Sequence, residues 1–287
     1  MTREQFRPWR VGSAIVVATL LFAAAQHVLG AVQQSVPGVT AEEMRTYSAF
    51  RTWITSHADL QAASEDVVIQ RYRAELRSQG KSETDIDSAI AMLRKVGDRA
   101  EVEMWNRVLT NPKPTFNTSA NEFLVTMTKG LKPGRSLDVG MGQGRNTIYL
   151  AQQGWDSVGF DPADRAVAAA QDDAKKLGVK ITTQIARAED FAWGENQWDL
   201  IVLCYVGGRE YVSQVTRALR PGGMVVVEAF HRDATRNHPI GGAVVFDTNE
   251  LVKLFEGLRV VRYEDTNAKG DFGLEDTRVV RLAAVKP

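Results

Sequence analysis

The stretch Arg135-Ser-Leu-Asp-Val-Gly-Met-Gly-Gln-Gly-Arg-Asn-Thr147 decides the fold. Its apolar part ends at Val139. Glycine then follows at every second position: Gly140, Gly142 and Gly144. The next residues, Thr147-Ile-Tyr-Leu-Ala151, are typical of a helix start. A strand, a glycine turn and a helix in this order expose backbone amides at the positive end of the helix dipole, so they predict a ligand site at the turn.

A second signal follows the glycine turn along the chain. The apolar segment Trp155-Asp-Ser-Val-Gly-Phe-Asp161 ends on an acidic residue. A carboxylate at the tip of a second strand is placed to accept hydrogen bonds from ribose hydroxyls. The alternative for Asp161 is a helix cap ahead of Pro162.

Strands and helices alternate over the C-terminal half of the chain. We predict strands at 136–139, 157–160, 181–185, 200–205, 223–230, 258–263 and 278–285, with helices between most of them. This alternation predicts an α/β fold whose mostly parallel sheet is covered on both faces. Only a polar turn separates the last two strands, which indicates a hairpin.

Five ordered segments resemble the class I S-adenosylmethionine-dependent methyltransferases. They are 135–147, 155–161, Ile185–Phe191, Gln197–Tyr205 and Leu219–Glu228. The resemblance covers roughly residues 120–287. It implies a Rossmann-like, doubly wound, seven-stranded sheet with the last strand antiparallel, S-adenosyl-L-methionine as the cofactor, and direct in-line methyl transfer.

The resemblance also implies which residues hold the cofactor. Asp138, Gly140, Gly142 and Gly144 would frame its methionine portion. Asp161 would take the ribose hydroxyls. Either Glu189 or Asp190 would meet the adenine, with Asp190 favoured. Asp138 could instead be a structural carboxylate, and the acidic pair could be solvated loop charges.

Arg145 belongs to a run, Gly142-Gln-Gly-Arg-Asn146, that is similar to the tellurite-resistance and thiopurine-like branch of small-molecule methyltransferases. Met141 stands where most of these relatives carry cysteine, and it is a soft substitute of similar size. Arg145 would bind the cofactor carboxylate or an anionic substrate. A surface arginine at a helix start is the alternative.

A general base is required only if the accepting atom must lose a proton. Tyr205 ends one predicted strand and His231 follows another, at the sheet edge where ligands lie, and they are our candidate catalytic residues. Residues 231–246 predict a loop that shapes the substrate pocket. Leu203-Cys-Tyr-Val206 stands where methyltransferases of DNA or protein glutamine carry an Asn/Asp-Pro-Pro-Tyr-like motif, which favours a small-molecule substrate.

The composition excludes some functions. The chain has 35 Lys plus Arg and 35 Asp plus Glu, so its formal charge is zero. Proteins that grip nucleic acid neutralise phosphates with basic side chains, and we expect no nucleic-acid partner. The single cysteine, Cys204, excludes an internal disulfide and a cysteine-based zinc site, and we expect no metal.

Residues 1–32 predict a signal peptide or a membrane anchor. Three arginines precede the uncharged stretch 11–25, and small residues follow. Counting on to residue 32 gives just enough length for a membrane tether through 11–32. The prediction is therefore an exported (periplasmic) or membrane-anchored protein, facing the cytoplasm only if the anchor is reversed. Export would separate the enzyme from its cytosolic methyl donor.

We divide the remaining chain into a helical extension, 33–115, and a methyltransferase domain, 116–287. Capping signals at Thr40 and Ser82 start helices in the extension. The extension either packs on the domain or caps its substrate site. The predicted function is methyl transfer to a small molecule. The alternative is a non-catalytic exported or membrane-tethered binding protein that keeps the fold. The glycine spacing does not fit the GxGxxG of a nicotinamide-dependent oxidoreductase.

Overall fold

The computed structural model describes residues 39–60, 65–236, 240, 244–272 and 277–287. The predicted signal peptide or anchor, 1–32, lies outside these residues. Among the described helices, none combines the length and the apolar character that crossing a membrane requires.

The helical extension contains α1 (Ala41–Thr55), α2 (Glu65–Ser78) and α3 (Glu83–Leu109). Both predicted helix starts are confirmed. Thr40 and Glu43 form a reciprocal capping box, and the Ser82 hydroxyl accepts a hydrogen bond from the Asp85 amide. Such caps satisfy amides that the first turn leaves unpaired, and each stabilises its helix by about 1 kcal/mol.

An apolar cluster joins the three helices of the extension. Phe50 and Ile54 from α1, Tyr72 from α2, and Ile86 and Leu93 from α3 are all buried within it. Their helical spacing places them on one face of each helix, so the extension has a core of its own.

The strands that follow are β1 (Arg135–Val139), β2 (Asp156–Asp161), β3 (Thr182–Ile185), β4 (Trp198–Cys204), β5 (Leu219–His231), β6 (Val245–Phe246), β7 (Arg259–Ala268) and β8 (Thr277–Val285). They form one sheet in the order β3-β2-β1-β4-β5-β8-β7, and β6 pairs with β5. β8 is antiparallel to both of its neighbours, whereas the other pairs are parallel. The predicted fold class is confirmed, including the terminal hairpin.

The helices that flank the sheet are α4 (Glu122–Thr128), α5 (Arg145–Gln152), α6 (Asp164–Lys176), α7 (Val212–Ala218) and α8 (Glu250–Leu254). Side chains at the centre of the sheet, among them Leu137, Ile201 and Val225, have no exposed surface. Layers on both faces bury the centre of the sheet, which explains why the central strands β4 and β5 are rich in apolar residues.

Two details differ from the prediction. The structure adds β6, so the described sheet has eight strands rather than seven. Two residues carry too little periodicity to be read from sequence as a strand. Between β4 and β5, where we expect one helix, the chain forms a 3₁₀ turn, Arg209–Tyr211, and then α7, which ends at Ala218 because Leu219 already takes an extended backbone and begins β5.

Candidate active site

The central cleft lies at the carboxyl ends of β1, β2 and β4, and the glycine turn forms its floor. Gly140 and Gly142 line it, with φ of 63° and 54°. A side chain at Gly140 would overlap Val206 across the cleft, so glycine is required both for the backbone conformation and for space. The Met141 amide donates to the Phe160 carbonyl at 3.0 Å, which ties the turn to β2. The backbone of the turn is therefore fixed at the floor of the cleft, where a ligand can approach it closely.

Asp161 lines the same cleft at the end of β2. Its carboxylate accepts hydrogen bonds from the Gly142 amide at 2.9 Å and the Ala163 amide at 2.8 Å. Burial raises its pKa to about 6, against the effect of these two bonds. Each carboxylate oxygen has a second lone pair, so Asp161 can fix the turn, bind the Ala163 amide just before α6 and still accept a ligand hydroxyl.

Asp138 is not among the residues that line the cleft. It is buried and accepts a hydrogen bond from the Thr147 hydroxyl at 2.7 Å. Burial raises its pKa to about 6. The structure therefore favours the structural alternative: Asp138 joins the end of β1 to the first turn of α5.

Gly144 also lies outside the cleft lining, contrary to the prediction. It precedes α5 with φ of 82°, and a side chain there would lie 2.7 Å from the Ala170 methyl of α6. Its role is the close approach of two helices.

Gly144→Ala is expected to lower the free energy of unfolding by about 2 kcal/mol, since it adds left-handed strain to a steric overlap. Urea denaturation measures this. Gly130→Ala is the matched control, because Gly130 has φ of 77° but open space around it. Equal losses for the two variants would contradict the packing role of Gly144.

Of the two acidic residues after β3, the one that lines the cleft is not the one we favoured. Glu189 lines the cleft together with Ala188 and Arg187, whereas the favoured Asp190 does not. The Asp190 and Phe191 amides both donate to the Arg187 carbonyl, so a tight turn follows Arg187 and carries Asp190 away from the cleft lining. The turn type, which the sequence did not reveal, decides which of the two acids lines the cleft.

Arg145 is neither a surface residue nor an open anion site. Its side chain is 10% exposed and forms an ion pair with Asp271 at 2.6 Å. It also donates to the Ser119 carbonyl. Asp271 receives further bonds from the side chains of Asn117 and Asn121. Arg145 thus borders the cleft and fixes the segment between β7 and β8 against its edge.

Tyr205 lies inside the cleft, as predicted, directly after β4. Its φ is 60°, a strained value for a bulky residue, and such strain is often found at functional sites. The hydroxyl donates to Glu228 at 2.7 Å, and burial raises the pKa of Tyr205 well above its usual value. Glu228 also accepts from Arg281 at 2.7 Å. The Tyr205 side chain therefore both lines the cleft and forms a hydrogen bond to the buried carboxylate of Glu228.

The structure does not bring His231 to the cleft, so its prediction as the base is corrected. Its Nδ1 accepts from the Asp233 amide at 3.0 Å, and its Nε2 lies 3.0 Å from the Thr248 hydroxyl. β5 runs on past the cleft and pairs with β6, which carries His231 beyond the site. No described residue of 231–246 lines the cleft either, so the predicted pocket loop is corrected for those residues.

Sequence reasoning missed the residues that α3 contributes. Glu101, Trp105 and Leu109 line the cleft from the helical extension. Their spacing of four residues is a helix-face signal that was visible in the sequence. Which surface that face covers depends on a contact distant along the chain, and no local pattern reports it.

Gln143 offers a test of whether the site fits the implied cofactor. It lines the cleft within the glycine turn, and its buried side-chain Nε2 has no hydrogen-bond partner among the residues that the structure describes. A buried unpaired donor is costly, and a ligand carboxylate would satisfy it. The turn, Asp161 and Gln143 therefore fit an amino-acid nucleoside. Within the ranges the structure describes, no group of three or more His, Cys, Asp or Glu residues could hold a metal ion.

Comparisons with known proteins agree with this geometry. Residues 137–223 match the family described as "Methyltransferase domain". A probable S-adenosyl-L-methionine-dependent methyltransferase, TehB, from Haemophilus influenzae is 26% identical over 158 residues, which is 52% of this chain and 55% of that protein. The 2-heptyl-1-hydroxyquinolin-4(1H)-one methyltransferase of Mycobacteroides abscessus is 27% identical, over 63% of this chain and 84% of that protein.

A solved structure shows the same fold. The N-methyltransferase NodS from Bradyrhizobium japonicum, in complex with S-adenosyl-L-homocysteine, superposes with a TM-score of 0.51 at 19% identity, over 65% of this chain and 98% of that one. The chain spans between 42% and 64% of the length of several curated relatives that it matches.

The fold, the site and these matches show a methyltransferase domain over residues 137–223 that is similar to those of the class I S-adenosylmethionine-dependent methyltransferases. Within that class it is similar to the tellurite-resistance branch, to which TehB belongs. The prediction of S-adenosylmethionine as the cofactor is confirmed at the level of the family.

Proposed function

We propose that this protein transfers a methyl group from S-adenosylmethionine to a small, planar, apolar acceptor. The single observation that carries the proposal is the cleft in which Asp161, the glycine turn and an aromatic wall meet. The donor supplies an activated methyl group, so the protein has to bind, orient and exclude water.

The polar side of the cleft would hold the donor. Asp161 accepts the ribose hydroxyls, Glu189 lies at the adenine end, and Gln143 donates to the donor carboxylate. The charge of Arg145 is neutralised by Asp271. Its role is therefore to position the aromatic wall of the cleft, formed by Phe116, Phe272 and Tyr205, rather than to bind an anion. Gly140 and Gly142 let the backbone approach the ligand closely.

The opposite side of the cleft favours the acceptor class. Phe116, Phe272 and Tyr205 stand together there: the first pair has ring centroids 5.8 Å apart, and Tyr205 meets Phe272 edge-on at 5.4 Å. Aromatic walls favour flat apolar molecules through offset and edge contacts. The substrate in the name of the Mycobacteroides relative is such a molecule, which supports this choice.

We propose in-line transfer with a proton route through Tyr205. When the accepting atom carries a proton, that proton passes to the Tyr205 oxygen as the Tyr205 proton moves to Glu228. Burial raises the pKa of Glu228, which makes it a better proton acceptor than an exposed carboxylate. An acceptor that needs no deprotonation would use Tyr205 only as a wall.

Asp161→Ala is expected to weaken binding of S-adenosylhomocysteine by about 1–3 kcal/mol, because the ribose hydroxyls lose their charged acceptor. Isothermal titration of the full chain measures it, with the melting temperature as a check on folding. Asp190→Ala is the matched control, since Asp190 lies close in sequence to Glu189 but outside the cleft lining. Unchanged affinity in Asp161→Ala would remove the ribose assignment.

Catalysis itself is tested by incubating the full chain with methyl-labelled S-adenosylmethionine and 2-heptyl-1-hydroxyquinolin-4(1H)-one, followed by a panel of smaller planar heterocycles. Transfer of label supports the proposal. Tight donor binding without transfer to any acceptor would favour the alternative, a binding protein that keeps the fold.

We also propose that residues 1–32 direct export or membrane anchoring, with the three arginines on the cytosolic side. Cell fractionation together with the N-terminal sequence of the mature protein tests this. A cytosolic protein with an intact N-terminus would contradict it.

A further inference from the structure

Helix α3 presents a stripe of three side chains to the central cleft: Glu101, Trp105 and Leu109. The Leu109 side chain packs against Gly142, at the glycine turn. Glu101, at the other end of the stripe, lies beside Arg187, which precedes Ala188 and Glu189. Eight residues of helix span about 12 Å, so the stripe runs along the cleft from the turn to the predicted adenine end.

Two contacts fasten α3 over this end of the cleft. The Asn106 side chain accepts from the Arg165 amide at 2.8 Å and donates to Asp164 at 2.7 Å, which caps the start of α6. Glu103 forms a two-pronged pair with the Arg165 side chain, with both distances 2.9 Å. Because α6 begins just after Asp161, α3 is anchored next to the ribose position.

Glu101 is the acidic member of the stripe, and it is only 5% exposed. An Arg187 nitrogen lies 3.6 Å from its carboxylate, and Arg187 also pairs with Asp98 of α3 at 3.2 Å. Arg51 and Tyr47 of α1 also interact electrostatically with this carboxyl group. Burial raises the pKa of Glu101 to about 8 in spite of the two arginines. Burying an ionised carboxyl group costs free energy, and hydrogen bonds donated by a ligand would offset that cost.

We propose that Glu101, which lies outside the residues matching the methyltransferase family, is a ligand of the nucleoside half of the donor. The proposal rests on the proposed function. The nucleoside of S-adenosylmethionine offers hydrogen-bond donors at the ribose hydroxyls and the adenine amino group. Glu101 accepts from one of these groups at the end of the cleft that Arg187 and Glu189 also line. Binding of the donor and docking of α3 are then coupled, because Glu101 contacts both the donor and Arg187.

A proton-linked signature separates this role from a purely structural one. At pH 7.5 a group of pKa about 8 is roughly three-quarters protonated, and donor hydrogen bonds favour its ionised form. Binding therefore releases a proton. Asp161 and Asp138, whose pKa values are raised to about 6, are already ionised at that pH and contribute little.

The experiment is titration calorimetry of the full chain at pH 7.5 in two buffers of different ionisation enthalpy. The probes are S-adenosylhomocysteine and 5′-methylthioadenosine, which lacks the amino-acid half. The wild type is expected to release more than half a proton with both probes. Glu101→Gln is expected to release none and to bind both probes about tenfold more weakly. Asp98→Asn, which loses another partner of Arg187 but keeps Glu101, is expected to retain proton release.

Equal proton release by the wild type and Glu101→Gln overturns the inference, and so does a loss confined to S-adenosylhomocysteine, because it would place Glu101 at the amino-acid half. If Glu101→Gln does not fold, absence of proton release in the wild type is sufficient to overturn it. A wild type that binds neither probe refutes the proposed function itself, whereas binding without proton release refutes only the role of Glu101.

Discussion

Arg145→Met is expected to lower the free energy of unfolding by about 3–5 kcal/mol, because it leaves a buried carboxylate without its cation. Asp271 is 8% exposed and, among the described residues, keeps only the amide donors of Asn117 and Asn121 for its carboxylate once the guanidinium is gone. These neutral donors do not replace a charge-assisted bond of 2.6 Å. Urea denaturation followed by circular dichroism measures the loss.

A double-mutant cycle measures the interaction between Arg145 and Asp271 separately from the other contacts of the aromatic wall. Arg145→Met with Asp271→Leu removes both charges, so the double variant is expected to be more stable than Arg145→Met alone. The Asp271 backbone amide, which faces the Tyr205 hydroxyl, is retained in both. A loss below 1 kcal/mol in Arg145→Met would show that the pair does not secure the wall.

Tyr205→Phe is expected to lower kcat about 100-fold for an acceptor that must lose a proton, since the route to Glu228 requires the phenol oxygen. Binding of S-adenosylhomocysteine should remain unchanged, because Tyr205 is assigned to the acceptor side. Steady-state transfer to 2-heptyl-1-hydroxyquinolin-4(1H)-one, or to whichever heterocycle the wild type methylates, gives kcat, and calorimetry gives the affinity.

His231→Gln provides the control for Tyr205→Phe. His231 is the titratable residue that sequence reasoning favoured, and the structure places it against Thr248 and Asp233 rather than in the cleft. It should leave kcat within about twofold of the wild type. A 100-fold loss in His231→Gln together with an unaffected Tyr205→Phe would reverse the two assignments.

The part of the site that sequence predicted is the part set by local chemistry. Gly140, Gly142 and Asp161 stand where a strand ends, and the carboxyl end of a parallel strand fixes which way such residues face. The fold class followed for a similar reason, because alternating strands and helices admit few topologies. Tyr205 was also found this way, since it directly follows β4.

The errors arose where position depends on register or on turn type. His231 ends a strand, but β5 extends past its neighbours to pair with β6, so the end of that strand is not at the cleft. Gly144 belongs to the glycine series, yet its left-handed backbone serves packing against Ala170. Asp190 and Glu189 are adjacent in sequence, and a turn that begins at the Arg187 carbonyl selects the latter.

The position of Glu101 in the cleft cannot be predicted from local sequence motifs. It lies in a long amphipathic helix whose sequence marks an apolar face and a polar face, but the partner of that face is more than eighty residues away along the chain. Its distance from Arg187 and its burial become visible only when α3 is seen against the loop after β3. The helical extension is thus part of the site as well as a packing unit.

The most direct test of the account is a crystal structure of the full chain grown with S-adenosylhomocysteine. We expect the ribose within hydrogen-bond distance of Asp161, the homocysteine carboxylate beside Gln143 above the glycine turn, and the nucleoside covered by the stripe of Glu101, Trp105 and Leu109. A ligand bound elsewhere, or a cleft that stays empty at saturating ligand, would contradict the claim that this turn and this carboxylate hold the methyl donor.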